Sequence, residues 1–384
     1  MKLLQFGAGN IGRGFLAELF HHAGYKIVFV EKDEKIVSEI NKRGSYTLEI
    51  VGPRRFEQYK IDGIKALKTT DNTRIKEEIS QADIIAVSVG KAALPSVAKL
   101  LAPGLDLRSK SNAPPINIII AENVLKGEEL LYNLLDMEID RDTKEYLDNS
   151  VGLVLAVVSR MVPVLPPEMK EKDLLYIKAE EYRELPVDKN AFKGNISVIE
   201  GIKPSDHFEA YEERKIFIHN TAHAMAAYLG FLKGYKYIYE AMRDNEIKEK
   251  IMRALKEIGK ALIKKHPFLS RDLQDHIEDL CRRFSNEALA DTVARVGRDP
   301  LRKLRPEDRL VGACRFIEKY GGDPALVSLG ISACLRYNEK SDESSRALQD
   351  MISQQGIDYV LSEICGIRQG ENLYQLIKQG EKND

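Results

Sequence analysis

Apolar residues along the first 125 positions come in short uninterrupted runs separated by amphipathic stretches. That is the pattern of a parallel sheet wound with helices. Leu3-Leu4-Gln5-Phe6 reads as a first strand that runs into a glycine turn and a helix over about 11–23. Residues 26–30, rich in β-branched side chains, form a second strand, followed by a helix over 34–42. A polar stretch, 45–68, alternates like an antiparallel excursion. The runs 84–89 and Ile116–Ile120 are almost wholly apolar, as expected of strands covered on both faces, and Pro114-Pro115 marks the entry to the latter.

The β-like pattern resumes over 151–158 and 174–179, punctuated by Pro163, Pro166 and Pro167. Beyond about residue 194 long helical periods take over, at 211–232, 247–265, 273–288, 306–320 and 324–336. The fold class is therefore α/β. The expectation is a Rossmann-like doubly wound sheet over 1–194, then a mainly α-helical substrate and catalytic domain over 195–384. No internal repeat or low-complexity linker interrupts the chain.

Composition narrows the function. A length of 384 residues suits two or three domains, and 58 Lys+Arg against 59 Asp+Glu leave a net charge of -1. That balance removes the broad positive field of most nucleic-acid binders. The absence of Trp argues against a stacking platform. Cys281, Cys314, Cys334 and Cys365 form no C-x-x-C pair, so they read as small buried apolar residues in a reducing compartment. No run approaches a membrane span, and Gly7 interrupts any signal-peptide core, so a cytoplasmic location is expected.

Gly7-Ala8-Gly9-Asn10-Ile11-Gly12 is G-x-G-x-x-G placed after a strand and opening a helix. Gly7 allows the tight turn, Gly9 lets a pyrophosphate approach the backbone, and Gly12 lets helix and strand pack closely; the phosphates then meet unpaired helix amides. Glu31 ends the second strand 19 residues after Gly12, where a carboxylate accepts from a ribose diol and repels a 2′-phosphate. NAD is the expected cofactor. Asp33 is the competing acidic residue, but it lies past the strand end.

The segment 211–232 is apolar nearly all round after Arg214, as in a buried helix, yet it carries Lys215, His219, Asn220 and His223. At about 100° per residue these fall at roughly 0°, 40°, 140° and 80°, on one side of the helix. One reading is a satisfied structural network. The other is a metal-free alcohol-dehydrogenase site: a desolvated Lys215 with a lowered pKa takes the hydroxyl proton, and Asn220 donates to the developing carbonyl oxygen. Asn123 follows the strand Ile116–Ile120, at the end where open α/β sheets bind ligands, and faces either the reacting oxygen or a local turn. Between Arg295 and Arg309 stand six basic and three acidic residues. Such a run is a solvated surface or a phosphate site, with Arg295, Arg298, Arg302 and Lys303 as candidate ligands.

The octapeptide Gly7–Gly14, the K-x-x-x-x-N-x-x-H of Lys215, Asn220 and His223, and R-V-G-R-D-P-L-R-K-L from Arg295 resemble the polyol-specific long-chain dehydrogenases, in the family's order. The resemblance spans Met1 to at least Tyr337. It implies a Rossmann domain and a helical domain with the active site in the cleft between them. It also implies metal-independent, reversible oxidation of mannitol 1-phosphate by NAD to fructose 6-phosphate. Lys215 takes the family's role of general base, Asn220 and Asn123 polarise the reacting oxygen, His223 helps hold substrate, and Glu212 gates proton exit. Where the family commonly has V-D-R-I-V-P, this chain has Val158-Ser159-Arg160-Met161-Val162-Pro163, so the carboxylate is missing. The alternatives are a family member acting on a hexuronate or on unphosphorylated mannitol, and a catalytically inactive NAD-sensing protein. The expected partner is a small sugar phosphate, with neither nucleic acid nor membrane, for a monomer or small homo-oligomer.

Overall fold

The computed structural model describes residues 1–52, 56–124, 126–195 and 198–380. The chain divides into two compact units, Met1–Phe208 and Glu209–Asp384. The division falls past residue 194 because a further strand, near the end of the first unit, pairs back onto it.

The first unit is built on β1 (Lys2–Phe6), β2 (Lys26–Glu31), β3 (Ser45–Val51), β4 (Phe56–Asp62), β5 (Ile64–Lys68), β6 (Ile84–Val87), β7 (Ile116–Ile120), β8 (Val151–Leu155), β9 (Ile177–Glu180), β10 (Leu185–Asp188) and β11 (Ile202–Ser205). Six strands form one parallel sheet in the order β5-β2-β1-β6-β7-β8. With the excursion removed this is the doubly wound order whose switch point lies beside β1. The polar stretch 45–68 is an antiparallel hairpin only as far as Asp62. Ile64–Lys68 returns to the main sheet parallel to β2, where Ile64, Ala66 and Leu67 are buried. β3 also pairs with β9, making a small sheet β4-β3-β9, and β10 pairs in parallel with β11.

Both faces of the main sheet are covered. On one, Leu3, Ile27, Phe29 and Ile119 pack with Phe15, Phe20 and the small-sheet residues Leu48 and Ile177. On the other, Leu4, Phe6, Val28 and Ile85 pack with Ile75, Ile79, Leu101, Leu105, Leu131 and Leu135 from flanking helices. This double coverage is why the strands read as continuous apolar runs. The glycine turn leads into a π-helical stretch, Gly12–Leu16, and then the helix Ala17–His22.

In the second unit the helix Thr221–Leu232 is buried among Ile238–Arg243, Asn245–Lys265, Val293–Gly297 and Ala325–Leu335. The helix foreseen over 306–320 begins only at Val311, and the residues before it form a turn carrying Asp308 and Arg309. Three further helices, Glu343–Gln355, Ile357–Glu363 and Asn372–Gly380, follow those the pattern marked out.

One buried ion pair fixes the segment after β8. Arg160 and Glu18 have side chains 0% and 1% exposed and are hydrogen bonded, and Arg160 Nε donates to the Glu180 carbonyl at 2.7 Å. Glu180 in turn accepts from the Met161 amide at 2.6 Å. Glu18→Gln should destabilise the first unit by about 3–5 kcal/mol, since it leaves a buried guanidinium uncompensated. The double variant Glu18→Leu/Arg160→Met should recover most of that loss in denaturant titrations. Equal stability of wild type and Glu18→Gln would sink the assignment.

Candidate active site

The cofactor turn is shaped by what cannot fit there. Gly7 has φ +92°, and a Cβ on it would lie 2.5 Å from the Ser88 carbonyl oxygen. A Cβ on Gly12 would lie 2.0 Å from the Gly7 carbonyl oxygen, whereas nothing lies within 4 Å of the corresponding position on Gly9. The turn is thus packed from below and open above Gly9, as close approach of a pyrophosphate requires. Asn10 Nδ2 donates to the carbonyls of Val162 and Pro163 at 3.3 and 3.4 Å, tying the turn to the segment that holds Ser159. Ala8 is buried and Ile11 partly buried.

Glu31 is buried at the end of β2. Its Oε2 accepts from the Ala8 amide at 2.7 Å, and its Oε1 accepts from the Lys32 and Asp33 amides at 2.8 and 3.0 Å. Asp33 is occupied otherwise, accepting from Lys35 and Ile36 as the N-cap of the next helix. A fixed carboxylate beside the turn, with open space over Gly9, fits a dinucleotide with a free ribose diol.

Two supports of this turn escaped the sequence reading. Gln5, fully buried in β1, donates to the Phe6 carbonyl at 2.8 Å and to Ser88 Oγ at 2.9 Å. Arg13, also buried, donates to the carbonyls of Ala8 and Leu175, both at 2.6 Å. A polar residue inside an apolar strand and an arginine at a buried helix start were the available signals. Asn123 is exposed in the bend after β7. Its neighbour Glu122 accepts from the Gly90 amide at 2.9 Å and from Val89, holding the loop after β6; burial raises its pKa against those hydrogen bonds. Ser159 is buried, in place of the family's carboxylate.

In the second unit, Arg214–Asn220 is a π-helical stretch running into Thr221–Leu232. This corrects the angles expected of an α-helix. With i→i+5 bonding the chain turns less per residue, so Asn220 lies nearer the side of Lys215 than the 140° reckoned for an α-helix. Lys215 is half-buried. Burial, and then the charge of Arg309, lower its pKa to about 8, against the opposing charge of Glu212. His219 is buried, and among the described residues its Nδ1 has no hydrogen-bond partner. Its pKa is pushed well below the ordinary value by burial and then by Arg283.

His223 Nε2 lies 3.1 Å from Asp291 Oδ2, and the imidazole stacks on Phe284 at 4.5 Å. Asp291, which the sequence did not mark out, also takes two hydrogen bonds from Arg295. Burial works to raise the Asp291 pKa, but the hydrogen bonds from His223 and Arg295 outweigh it and hold it at about 2. His223 remains below its ordinary pKa because burial outweighs Asp291.

The basic run resolves into ion pairs. Arg295 is held by Asp291, and Arg302 reaches Asp299 at 2.8 Å and Asp308 at 3.3 Å. Lys303 is buried, with Nζ on the Arg298 carbonyl; burial, then Arg309 and Arg302, lower its pKa to about 7. The Arg298 side chain is exposed. Among the described residues no group of three His, Cys, Asp or Glu is arranged to hold a metal ion.

Residues 1–201 match the mannitol dehydrogenase Rossmann domain and residues 207–382 the mannitol dehydrogenase C-terminal domain. The chain belongs to the mannitol dehydrogenase family. Its relatives in that family include the mannitol-1-phosphate 5-dehydrogenase of Clostridium acetobutylicum, 36% identical over 98% of this chain and 97% of that one. The enzyme of that name from Geobacillus thermodenitrificans is 35% identical over 100% and 98% of the two chains. Among solved structures, a D-sorbitol dehydrogenase aligns with TM-score 0.81 at 16% identity, covering 99% of this chain and 91% of the other. Pseudomonas fluorescens mannitol 2-dehydrogenase, in a ternary complex with NAD and D-mannitol, aligns with TM-score 0.78 at 18% identity over 100% and 90%. These structures share the mannitol dehydrogenase fold.

Asp291→Asn removes the charge that holds both His223 and Arg295. It should lower kcat/KM for the sugar substrate roughly 10- to 100-fold, mainly through KM, with NADH affinity unchanged. Asp291→Glu should recover part of the loss. Unchanged kinetics would show that His223 needs no such anchor.

Proposed function

We propose that this chain is an NAD-dependent mannitol-1-phosphate 5-dehydrogenase, which interconverts mannitol 1-phosphate and fructose 6-phosphate. The observation that carries the reading is end-to-end similarity, at 36% identity, to a protein bearing that name. The site residues then fall into roles that elementary chemistry supports. A cytoplasmic setting suits the four buried, unpaired thiols.

NAD, when bound, supplies the hydride acceptor, and the chain holds it through Gly7, Ala8, Gly9, Asn10, Ile11, Gly12 and Glu31. Lys215 is the general base. In its neutral form Nζ accepts the hydroxyl proton as hydride leaves the same carbon; in reduction the ammonium returns it. Asn220, in the same π stretch, donates from its amide to the oxygen that becomes a carbonyl, and Asn123 is assigned the second amide. His223 spends Nε2–H on Asp291, which leaves Nδ1 to accept from a substrate hydroxyl. Glu212 opposes the depression of the Lys215 pKa and is the residue assigned to proton exit. The phosphate falls to the basic residues 295–309. Lys215 and the two amides supply the chemistry without the carboxylate that Ser159 replaces.

The paired assay is NADH oxidation with fructose 6-phosphate against fructose, fructuronate and tagaturonate. Only the phosphorylated ketose should be turned over efficiently, and EDTA should not reduce the rate. Equal activity on fructose would favour a mannitol 2-dehydrogenase, and a preference for either uronate would favour a hexuronate reductase.

The base carries a sign. Oxidation needs neutral Lys215, so its rate should rise with pH through about 8, while reduction needs the ammonium and should fall over the same interval. Lys215→Ala should cut turnover by on the order of 10²-fold or more with NADH affinity nearly unchanged. Flat profiles in both directions, or turnover surviving in the variant at neutral pH, would remove Lys215 from this role.

A further inference from the structure

We infer that Arg309 is the residue that reads the substrate's phosphate, and that its guanidinium sets the preference for a phosphorylated polyol over the free one. This rests on the mannitol-1-phosphate reading and moves its specificity away from the more conspicuous run 295–303. There the strongest cations are already engaged. Arg295 is bound to Asp291, Arg302 is shared by Asp299 and Asp308, and the Lys303 ammonium is on a backbone carbonyl. Arg298 and Arg305 are exposed.

Arg309 differs in three respects. Its side chain is only 12% exposed. Its Nε donates to Asp308 Oδ1 at 2.7 Å, and that oxygen also accepts from the Arg309 amide at 2.7 Å, so the stem is oriented from both ends. Among the described residues Nη1 and Nη2 have no hydrogen-bond partner, so the two terminal nitrogens present an open fork.

The backbone of Arg309 is also fastened to the catalytic turn. Its carbonyl accepts from Thr221 Oγ1 at 2.5 Å, and the same hydroxyl reaches the Ile216 carbonyl at 3.3 Å. Thr221 follows Asn220 and Ile216 follows Lys215, so the two residues adjoining the reacting pair hold the arginine in register with them. The charge of Arg309 is felt at Lys215, Lys303 and His223. Asp308 is shared between Arg302 and Arg309, which leaves this corner short of negative charge. In fructose 6-phosphate the phosphate is four carbons from the carbonyl carbon. Its anchor must stand near the base without touching the reacting atoms, and a planar two-pronged donor suits a phosphate better than a point charge does.

The test compares kcat/KM for fructose 6-phosphate with that for fructose at high concentration, in wild type, Arg309→Gln and Arg309→Lys. Arg309→Gln should lower the ratio roughly 30-fold or more, chiefly through KM for fructose 6-phosphate, and Arg309→Lys should restore part of it. Inorganic phosphite added with fructose should stimulate wild type and not Arg309→Gln. An unchanged ratio, with both substrates losing equally and the pH profile displaced, would overturn the proposal and leave Arg309 acting only through Lys215. Should Arg309→Gln not fold, judged by NADH binding and thermal melting, Arg309→Lys must still lower the ratio several-fold; no change there also overturns it. A wild-type enzyme inactive on fructose 6-phosphate would instead overturn the mannitol-1-phosphate reading itself.

Discussion

An i→i+5 turn is the constraint on which the proposed catalytic segment of the second unit depends. In an α-helix, residues five apart point about 140° away from each other; the wider turn of the π stretch Arg214–Asn220 brings them nearer to one side. A helix that inserts one extra residue per turn gives up regular hydrogen bonding, and such stretches persist where a side-chain juxtaposition needs them. Here the stretch carries Lys215 and Asn220, the residues proposed as base and amide donor. The following α-helix restores normal geometry, so His223, three residues beyond Asn220, points toward Asp291 and Phe284. A second π stretch, Gly12–Leu16, follows the cofactor turn of the first unit and buries Arg13 beneath the Ala8 carbonyl.

A lysine held near neutrality requires that its surroundings withhold both water and counter-charge. Burial is the larger influence on Lys215, and the charge of Arg309 adds to it. Cations so placed would repel one another and unfold the corner were they not each tied to something else. Asp291 holds Arg295, while Asp299 and Asp308 divide Arg302 and Arg309 between them. The carboxylates thus keep the arginines in place. In the first unit Glu18 likewise compensates the buried Arg160.

The parts of this structure that repeat locally were legible in the sequence. The strand–turn–helix around Gly7 to Gly12, the apolar strand Ile116–Ile120 and the buried helix with polar residues all follow from period and composition. What was not legible depended on long-range pairing or on departures from ideal geometry. Ile64–Lys68 joins the main sheet because β2 has a free edge, a fact of topology and not of the segment's own alternation. Nothing local announces that 214–220 takes π geometry, so angles reckoned on an α-helix do not apply there. Asp291 is one carboxylate among 59 acidic residues, and only its distance from His223 distinguishes it. The basic run was visible, but the division of its members between structural pairing and an open fork required the position of each acidic partner.

The charge arrangement also couples substrate to base. Lys215 is depressed partly by Arg309, and a phosphate arriving at that arginine brings negative charge into the same neighbourhood. Its field offsets the arginine's, so the ammonium form of Lys215 is favoured in the complex relative to the free enzyme. With Lys215 as the proposed base, this places the proton on it before the carbonyl of fructose 6-phosphate needs it. For mannitol 1-phosphate it works against the neutral form, and oxidation then requires higher pH in the complex than in free enzyme. An unphosphorylated polyol brings no such charge and leaves the lysine where burial and Arg309 put it. Recognition of the phosphate is therefore not only a matter of affinity: the group that identifies the substrate also adjusts the protonation state of the residue that acts on it, in the direction that assists reduction.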